Sequence, residues 1–190
     1  MNNTNTTTTN STIAGDPTGT SPGHDVAVDA RHRAKILATI ARKSFCVLAS
    51  TSAANRAHAA GVVYAEADGA LWVHARADSR KVRNVAANPW VGVTIPFRRL
   101  PFGPPYTIHF QARAEVVALD APEVRALVAA GRLGAITGHG ALEMPGACFV
   151  RIEPRGTIHS YGPGARLIDL IRDPLNHGAA SFPIDHDGAR

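Results

Sequence analysis

The sequence predicts a mainly β fold, a small antiparallel barrel with helical inserts. Three observations carry this prediction. Short apolar runs of strand length follow one another, and polar connections separate them. The dipeptide Asp68-Gly69 lies between two of these runs and is a strong hairpin signal. Residues 107–119 alternate between apolar and polar side chains, as a long strand with one buried face does.

The composition predicts one ordered domain. A chain of 190 residues can bury one substantial core, and two ordinary domains would need more. Residues 1–25 are mostly Thr, Asn, Ser, Gly and Pro, which bury too little apolar surface to offset the entropy of ordering. We therefore expect a disordered tail at 1–25, the barrel domain at 26–165 and a C-terminal extension at 166–190.

Charge and cysteine content narrow the classes of partner. The tail lacks the pattern of a secretory signal, and no apolar stretch is long enough for a membrane span, so we expect a cytoplasmic protein without membrane contact. The formal net charge of +5 suits an anionic ligand, but the chain lacks the dense basic runs that nucleic-acid binding favours. Cys46 and Cys148 are far apart, which predicts reduced, buried thiols rather than a zinc site or a redox pair.

The first half of the chain predicts two helices around three strands. Apolar residues recur at helical spacing over residues 29–43, where Asp29 can cap the helix. A short helix is predicted over 79–88, because proline disfavours helix in the preceding residue and Asn88-Pro89 stops it. The hairpin signal makes the second and third strands antiparallel neighbours. The strands of this half are predicted at residues 45–50, 58–65 and 70–75.

The second half adds strands, one helix and two loops. Strands are predicted at 90–95 and 107–119, with a proline-rich loop, 96–105, between them. Pro122 and Gly131 mark the ends of a helix over 121–132. Beyond it the sequence predicts a glycine-rich mobile loop and two strand segments around Pro154, at residues 134–146, 147–152 and 156–161.

Ser79-Arg80-Lys81 is the strongest candidate for a binding site. Arg80 offers a planar fork to a phosphate, Lys81 adds a point charge, and the Ser79 hydroxyl both donates and accepts. The predicted helix begins here, so its N-terminal amides add free donors and partial positive charge. The triplet therefore predicts a phosphorylated ligand, against the simpler reading of solvated surface residues.

Ser79-Arg80-Lys81 follows the third predicted strand, Asn84 and Asn88-Pro89 precede the fourth, and Gln111-x-Arg113 lies in the fifth. In this order of elements and motifs, residues 29–161 resemble the pyridoxamine 5'-phosphate oxidase-like split-barrel family. The resemblance implies a six-stranded antiparallel split β-barrel of Greek-key type with a helix before the first strand. It also implies a homodimer that holds FMN, or the deazaflavin F420, between its subunits.

Site residues follow from the resemblance position by position. Arg80 and Lys81 would bind the cofactor phosphate, with Ser79 beside them. His74 and Ala75 would lie beside the ribityl chain, and Val62 and Val63 along the ring system. Gln111 would contact the flavin from the partner subunit. Catalytic residues are not assigned, because the cofactor carries the redox chemistry in such enzymes.

Departures from the family pattern argue against a true pyridoxamine phosphate oxidase. Ala59, Ala60 and Tyr64 replace its basic residues on the second strand, and the C-terminal Trp and the Arg-Leu motif are missing. We therefore expect an FMN-dependent oxidoreductase acting on a small organic substrate, with F420 as the alternative cofactor. The competing class is a non-catalytic flavin- or haem-binding protein. The histidines lack classical zinc spacing, and His139 in Gly138-His139-Gly140 is interpreted as part of a loop.

Overall fold

The computed structural model describes residues 30–98, 106–163 and 178–184. The predicted N-terminal tail, most of the proline-rich loop and much of the C-terminal extension lie outside these ranges. In the described ranges, no helix is long and apolar enough to cross a membrane. The helices are α1 Ala30–Arg42, α2 Arg80–Ala87, α3 Pro122–Ala129 and α4 Gly134–Thr137.

The strands form one antiparallel sheet in the order β2-β1-β5-β6-β7-β4-β3, and β8 pairs with β7. The mainly β antiparallel prediction is confirmed, but the predicted count of six strands is wrong because the described residues contain eight. Their bounds are β1 Phe45–Thr51, β2 Ala57–Val63, β3 Ala65–Ala67, β4 Ala70–Arg76, β5 Trp90–Phe97, β6 Tyr106–Ala118, β7 Ala147–Tyr161 and β8 Ala179–Pro183.

One additional strand arises because the predicted strand at 58–65 breaks at Tyr64. Its N–H donates to the Ser44 carbonyl at 2.8 Å, and its buried hydroxyl donates to the Ile40 carbonyl at 2.7 Å. β2 therefore pairs with β1, and the Asp68-Gly69 hairpin joins β3 to β4. The prediction that the second and third strands are antiparallel neighbours holds for β3 and β4 and is wrong for β2.

β7 is one strand where the sequence predicts two segments around Pro154. The register against β6 passes from Phe110↔Ile158 to Gln111↔Arg155, which leaves two residues of β7 outside the pairing. Gly156 lies in this irregularity with φ 71°, a left-handed conformation that glycine adopts without a steric penalty. The two unpaired residues form a β-bulge, and β7 continues to pair with β6 on both sides of it. The other additional strand, β8, lies in the predicted C-terminal extension and pairs with the end of β7.

The sheet curls around one apolar core. Val62 of β2 and Val73 of β4 belong to the same buried cluster although their strands are far apart in the sheet order. Ile36 and Ile40 of α1 pack into this interior, as the predicted amphipathic helix requires. Burial of this continuous apolar surface is the main favourable contribution to folding.

A second apolar cluster covers the outer face of β4. Successive β4 side chains alternate between the two faces, so Leu71 and Val73 enter the barrel while Trp72 faces outward. Leu133 and Ile136, before and within α4, pack on this outer side. The glycine-rich segment predicted as a mobile loop therefore contains a short helix, which the buried side chains of Leu133 and Ile136 hold against the sheet.

Candidate cofactor site

The start of α2 leaves polar groups without partners. Ser79 occupies the N-cap position in an extended conformation, but its side chain makes no capping hydrogen bond. Its Oγ is buried, with no hydrogen-bond partner among the described residues. The first turn of α2 contains no acidic residue. The helix amides and the serine hydroxyl therefore converge without an internal acceptor, which suits a bound anion.

Packing and one buried hydrogen bond fix α2 against the barrel. Val82 and Val85 enter the main core, at 5% and 3% exposure. Between them, Asn84 donates through Nδ2 to Ser50 Oγ at 3.0 Å, and both residues are buried. On the exposed side, the Arg83 guanidinium donates to the Asp78 carbonyl. These contacts set the orientation of the helix start.

A cavity of about 470 Å³ opens beside this helix start. Its walls come from β2, β4, α2 and the segment around α4. The described residues that line it are Gly61, Val62, Val63, His74, Lys81, Gly134, Ala135, Ile136, Gly138 and His139. Its volume lies in the range typical of small-molecule and cofactor sites.

The lining is electropositive. Among the described lining residues, Lys81 carries the one fixed charge and no carboxylate is present. Burial raises the pKa of the Cys148 thiol, and the nearby positive charge of Lys81 opposes this shift. Cys148 lies opposite Ala75 in the β4–β7 register, so Lys81 acts close to the end of β4. An anionic ligand would meet little repulsion here.

His74 lines the cavity from the outward face of β4. Its ring meets the Phe149 ring edge-on, with centroids 5.6 Å apart and an interplanar angle of 74°. This contact fixes the imidazole. Its Nε2 is buried without a hydrogen-bond partner among the described residues. A buried polar atom without a partner is costly, so this nitrogen is available to a ligand.

His139 lines the same cavity from the segment after α4, and sequence reasoning had interpreted it only as part of a loop. Its φ of 56° is uncommon for a residue with a side chain, and Gly140 beside it has φ 73°. The signal in the sequence is the segment Gly138-His139-Gly140, a flexible loop from which a histidine can reach a site. The fold places His139 in the wall of the cavity that His74 and Lys81 also line.

The predicted site residues divide into two groups. Val62, Val63, His74 and Lys81 line the cavity, and Ser79 precedes Lys81 by two residues at the start of α2. The others lie elsewhere. Ala75 is 5% exposed and packs in the barrel interior, Arg80 is solvent-exposed at the first turn of α2, and Gln111 is exposed on the outer face of β6.

The donors present fit a phosphate-bearing cofactor. The Ser79 hydroxyl and the free α2 amides lie at the start of the helix that carries Lys81, and Lys81 lines the cavity together with Val62 and Val63 of β2. The described residues contain no group of three or more His, Cys, Asp or Glu side chains that could hold a metal ion.

Three solved structures illustrate the fold. The heme storage protein HutZ from Vibrio cholerae aligns with TM-score 0.59 and 20% identity over 69% of this chain and 95% of its own. A heme binding protein from Mycobacterium smegmatis aligns with TM-score 0.58 and 19% identity over 74% and 57%. A FAD-binding protein from Mesorhizobium loti aligns with TM-score 0.52 and 19% identity over 67% and 88%. At these identities the likeness shows the fold alone.

Family membership comes from the sequence match. No curated protein matches the chain significantly. The family model described as pyridoxamine 5'-phosphate oxidase matches residues 33–159, which is more than half of the chain. This range runs from α1 through the cavity walls to the end of β7. The chain therefore belongs to the pyridoxamine 5'-phosphate oxidase family, within its split-barrel superfamily.

Proposed function

We propose that this protein binds FMN in the cavity beside α2 and uses it as an oxidoreductase of a small organic substrate, with F420 as the alternative cofactor. One observation carries the proposal: His74, whose buried Nε2 has no partner among the described residues, and Lys81 line one cavity, and the buried, unpartnered Ser79 Oγ lies at the N-cap of the helix that carries Lys81. A terminal phosphate would satisfy donors that the described residues leave open.

The residues of this chain would do the binding and the positioning. Lys81, the Ser79 hydroxyl and the α2 amides would hold the phosphate, with Arg80 adding charge from the first turn. The β2 backbone at Val62 and Val63 would offer amides and carbonyls to the polar edge of the ring system. His74, fixed by Phe149, would donate a hydrogen bond from the end of β4.

When bound, the flavin or deazaflavin supplies hydride-transfer chemistry. The chain supplies orientation and a partly apolar surface. Val63 and Ile136 line the cavity and would exclude water from one side of a bound ring. His139 lines the same cavity, where its imidazole would offer a hydrogen-bonding group to a bound ligand.

The proposal includes a homodimer. Gln111 lies on the outer face of β6, exposed and outside the lining of its own cavity, as expected of a residue that serves the site of a second copy. Large apolar side chains are also exposed on the sheet: Phe45 at 47%, Val63 at 52% and Trp90 at 51%. Their exposure supports an interface between copies. The free, buried thiols of Cys46 and Cys148 are compatible with the cytoplasmic location that we assign.

Non-catalytic haem binding is the second candidate, and a specific observation favours it. Two imidazoles, His74 and His139, line one cavity, and histidine is a common axial ligand of haem iron. Such a protein would store or sense its ligand without turnover.

A visible spectrum separates these candidates. We expect the purified protein, or apoprotein titrated with FMN, to show the two bands of an oxidised flavin. A single deazaflavin band after F420 titration would assign the alternative cofactor, and a Soret band would assign haem. If the protein binds none of FMN, F420 and haem, the proposed cofactor site is wrong. Reoxidation of bound reduced cofactor by a small substrate, faster than by oxygen alone, would separate the enzyme from the binder.

A variant pair tests the cradle itself. Lys81→Ala removes a charge-assisted hydrogen bond, so FMN affinity should fall at least about tenfold. Arg125→Ala is the matched control, because it removes an exposed cation from α3 without changing a cavity-lining residue. Fluorescence titration measures both. Equal affinity in a folded Lys81→Ala variant and the wild type would contradict the role of Lys81.

A further inference from the structure

Two histidines face each other on the outer surface of the sheet, away from the lining of the cavity. His109 of β6 and His159 of β7 are directly paired across the antiparallel ladder. Their rings are stacked, with centroids 5.3 Å apart and an interplanar angle of 15°. Both residues are exposed. The backbone pairing of two strands therefore places two imidazoles side by side on a surface that solvent reaches.

The geometry allows both rings to contact one ion. A nitrogen of histidine binds a transition metal at about 2.0–2.1 Å, which places the ion roughly 3 Å from the centroid of the ring. The rings are nearly parallel, so their in-plane nitrogen lone pairs do not converge as they stand, but the centroid spacing of 5.3 Å lets both nitrogens reach one ion once the rings turn. The χ2 angle of histidine has a broad distribution, so each ring can turn a nitrogen toward the ion at little cost.

The surroundings do not oppose a cation. The same-face neighbours two residues away on the two strands are uncharged; they are Thr107, Gln111, Thr157 and Tyr161. The next basic residue along β7 is Arg155, which donates a hydrogen bond to Glu153.

We propose that His109 and His159 form a two-histidine site for a late first-row divalent metal ion of the Ni²⁺ and Cu²⁺ class. Imidazole suits these ions, and square-planar or tetragonal coordination accepts two adjacent nitrogens with water in the other positions. The site does not use the cavity or its cofactor. It also needs no third protein ligand, which agrees with the absence of larger ligand clusters among the described residues.

Titration of the untagged full-length protein with Ni²⁺ tests the affinity. The other histidines of the chain give a background that the variants share. Replacing either member of the pair, by His109→Phe or His159→Phe, keeps an aromatic ring at the position but breaks the chelate. The tight binding event should weaken at least about tenfold in each single variant and disappear in the double variant. His58→Gln is the matched control, because it removes an imidazole from β2 and leaves the pair intact.

Electron paramagnetic resonance of the protein with one equivalent of Cu²⁺ counts the ligands. The expected spectrum has hyperfine structure from two imidazole nitrogens, reduced to one in each single variant. Circular dichroism checks that the variants fold; should a Phe variant not fold, His109→Gln and His159→Gln replace it. Unchanged Ni²⁺ affinity in the folded double variant, or a wild-type Cu²⁺ spectrum that the double variant reproduces, would overturn the proposal.

Discussion

At the scale of single residues, the site is defined by polar groups that the fold leaves without partners. An N-cap serine normally accepts a hydrogen bond from its own helix, but Ser79 does not. His74 has no partner at Nε2 among the described residues, although burial makes such a vacancy costly. His74 lines the same cavity as Lys81, and Ser79 occupies the N-cap position of the helix that carries Lys81. The cost of their desolvation is best explained by a ligand that offsets it.

His139 should matter for binding more than for stability. Asparagine tolerates the left-handed backbone at φ 56° but lacks the imidazole, so His139→Asn should leave the melting temperature nearly unchanged. The affinity for the ligand that spectroscopy identifies should fall several-fold, because the cavity loses one polar side chain. Thermal denaturation and ligand titration measure the two effects. An unchanged affinity would show that His139 lines the cavity without contributing to binding.

Cys46 should make the free energy of unfolding sensitive to alkaline pH. Burial raises the pKa of its thiol from 9.0 to about 12, so the folded state keeps a proton that the unfolded chain loses near pH 9. This contribution is fully present below pH 9 and is lost as the pH rises toward 12, with a slope approaching about 1.4 kcal/mol per pH unit.

Urea denaturation between pH 8 and pH 11 measures this slope. Cys46→Ala should be less stable at pH 8, because a buried side chain is truncated, but its stability should fall less steeply with pH. The Tyr64 hydroxyl, whose pKa is raised by burial and then by the charges of Cys46 and Glu66, remains in both proteins; its smaller shift in Cys46→Ala changes the slope in the same direction. Parallel pH profiles for the two proteins would contradict the assignment to Cys46.

At the scale of elements, α2 links the barrel core to the site. Its apolar residues were readable from helical spacing, and the helix begins and ends within one residue of the bounds predicted for it. The partner of Asn84 was not readable, because Ser50 is thirty-four positions away in sequence. The sequence thus predicted the helix and its cationic start, but the contact that orients it depends on how β1 packs beneath α2.

Asn84→Ala should loosen this link. The change leaves the buried Ser50 hydroxyl without its partner and should cost about 1–3 kcal/mol of unfolding free energy. It should also weaken FMN binding, because the start of α2 loses its fixed position. Chemical denaturation and FMN titration measure the two effects. The double variant Ser50→Ala/Asn84→Ala should lose less stability than the sum of the two single changes, Ser50→Ala and Asn84→Ala; full additivity would show that the hydrogen bond is unimportant.

At the scale of the whole molecule, the proposed dimer depends on the outer face of the sheet. Trp90→Glu places a charge on a side chain that is 51% exposed, and it should convert the dimer to a monomer. FMN affinity should fall with it, because Gln111 would no longer reach the site of the second copy. Leu37→Glu is the control, since Leu37 is 43% exposed on α1, apart from this face.

Light scattering during size-exclusion chromatography measures the mass of each variant. A wild-type protein that is monomeric with FMN bound would contradict the dimer but leave the cavity proposal standing. If the Trp90→Glu variant remains dimeric, the interface does not include Trp90 and lies on another surface.

The local features of this protein can be predicted from the amino-acid sequence alone: the mainly β class, α1 and α2, the hairpin at Asp68-Gly69 and the cationic start of α2. These depend on periodicity, turn chemistry and neighbours a few positions apart. The tertiary structure decided the break at Tyr64, the separation of Ala75 and Gln111 from the cavity lining, and the meeting of His74, Lys81 and His139 around one cavity. Such contacts join residues far apart in sequence, and they form because the curled sheet must bury both faces of β4 at once.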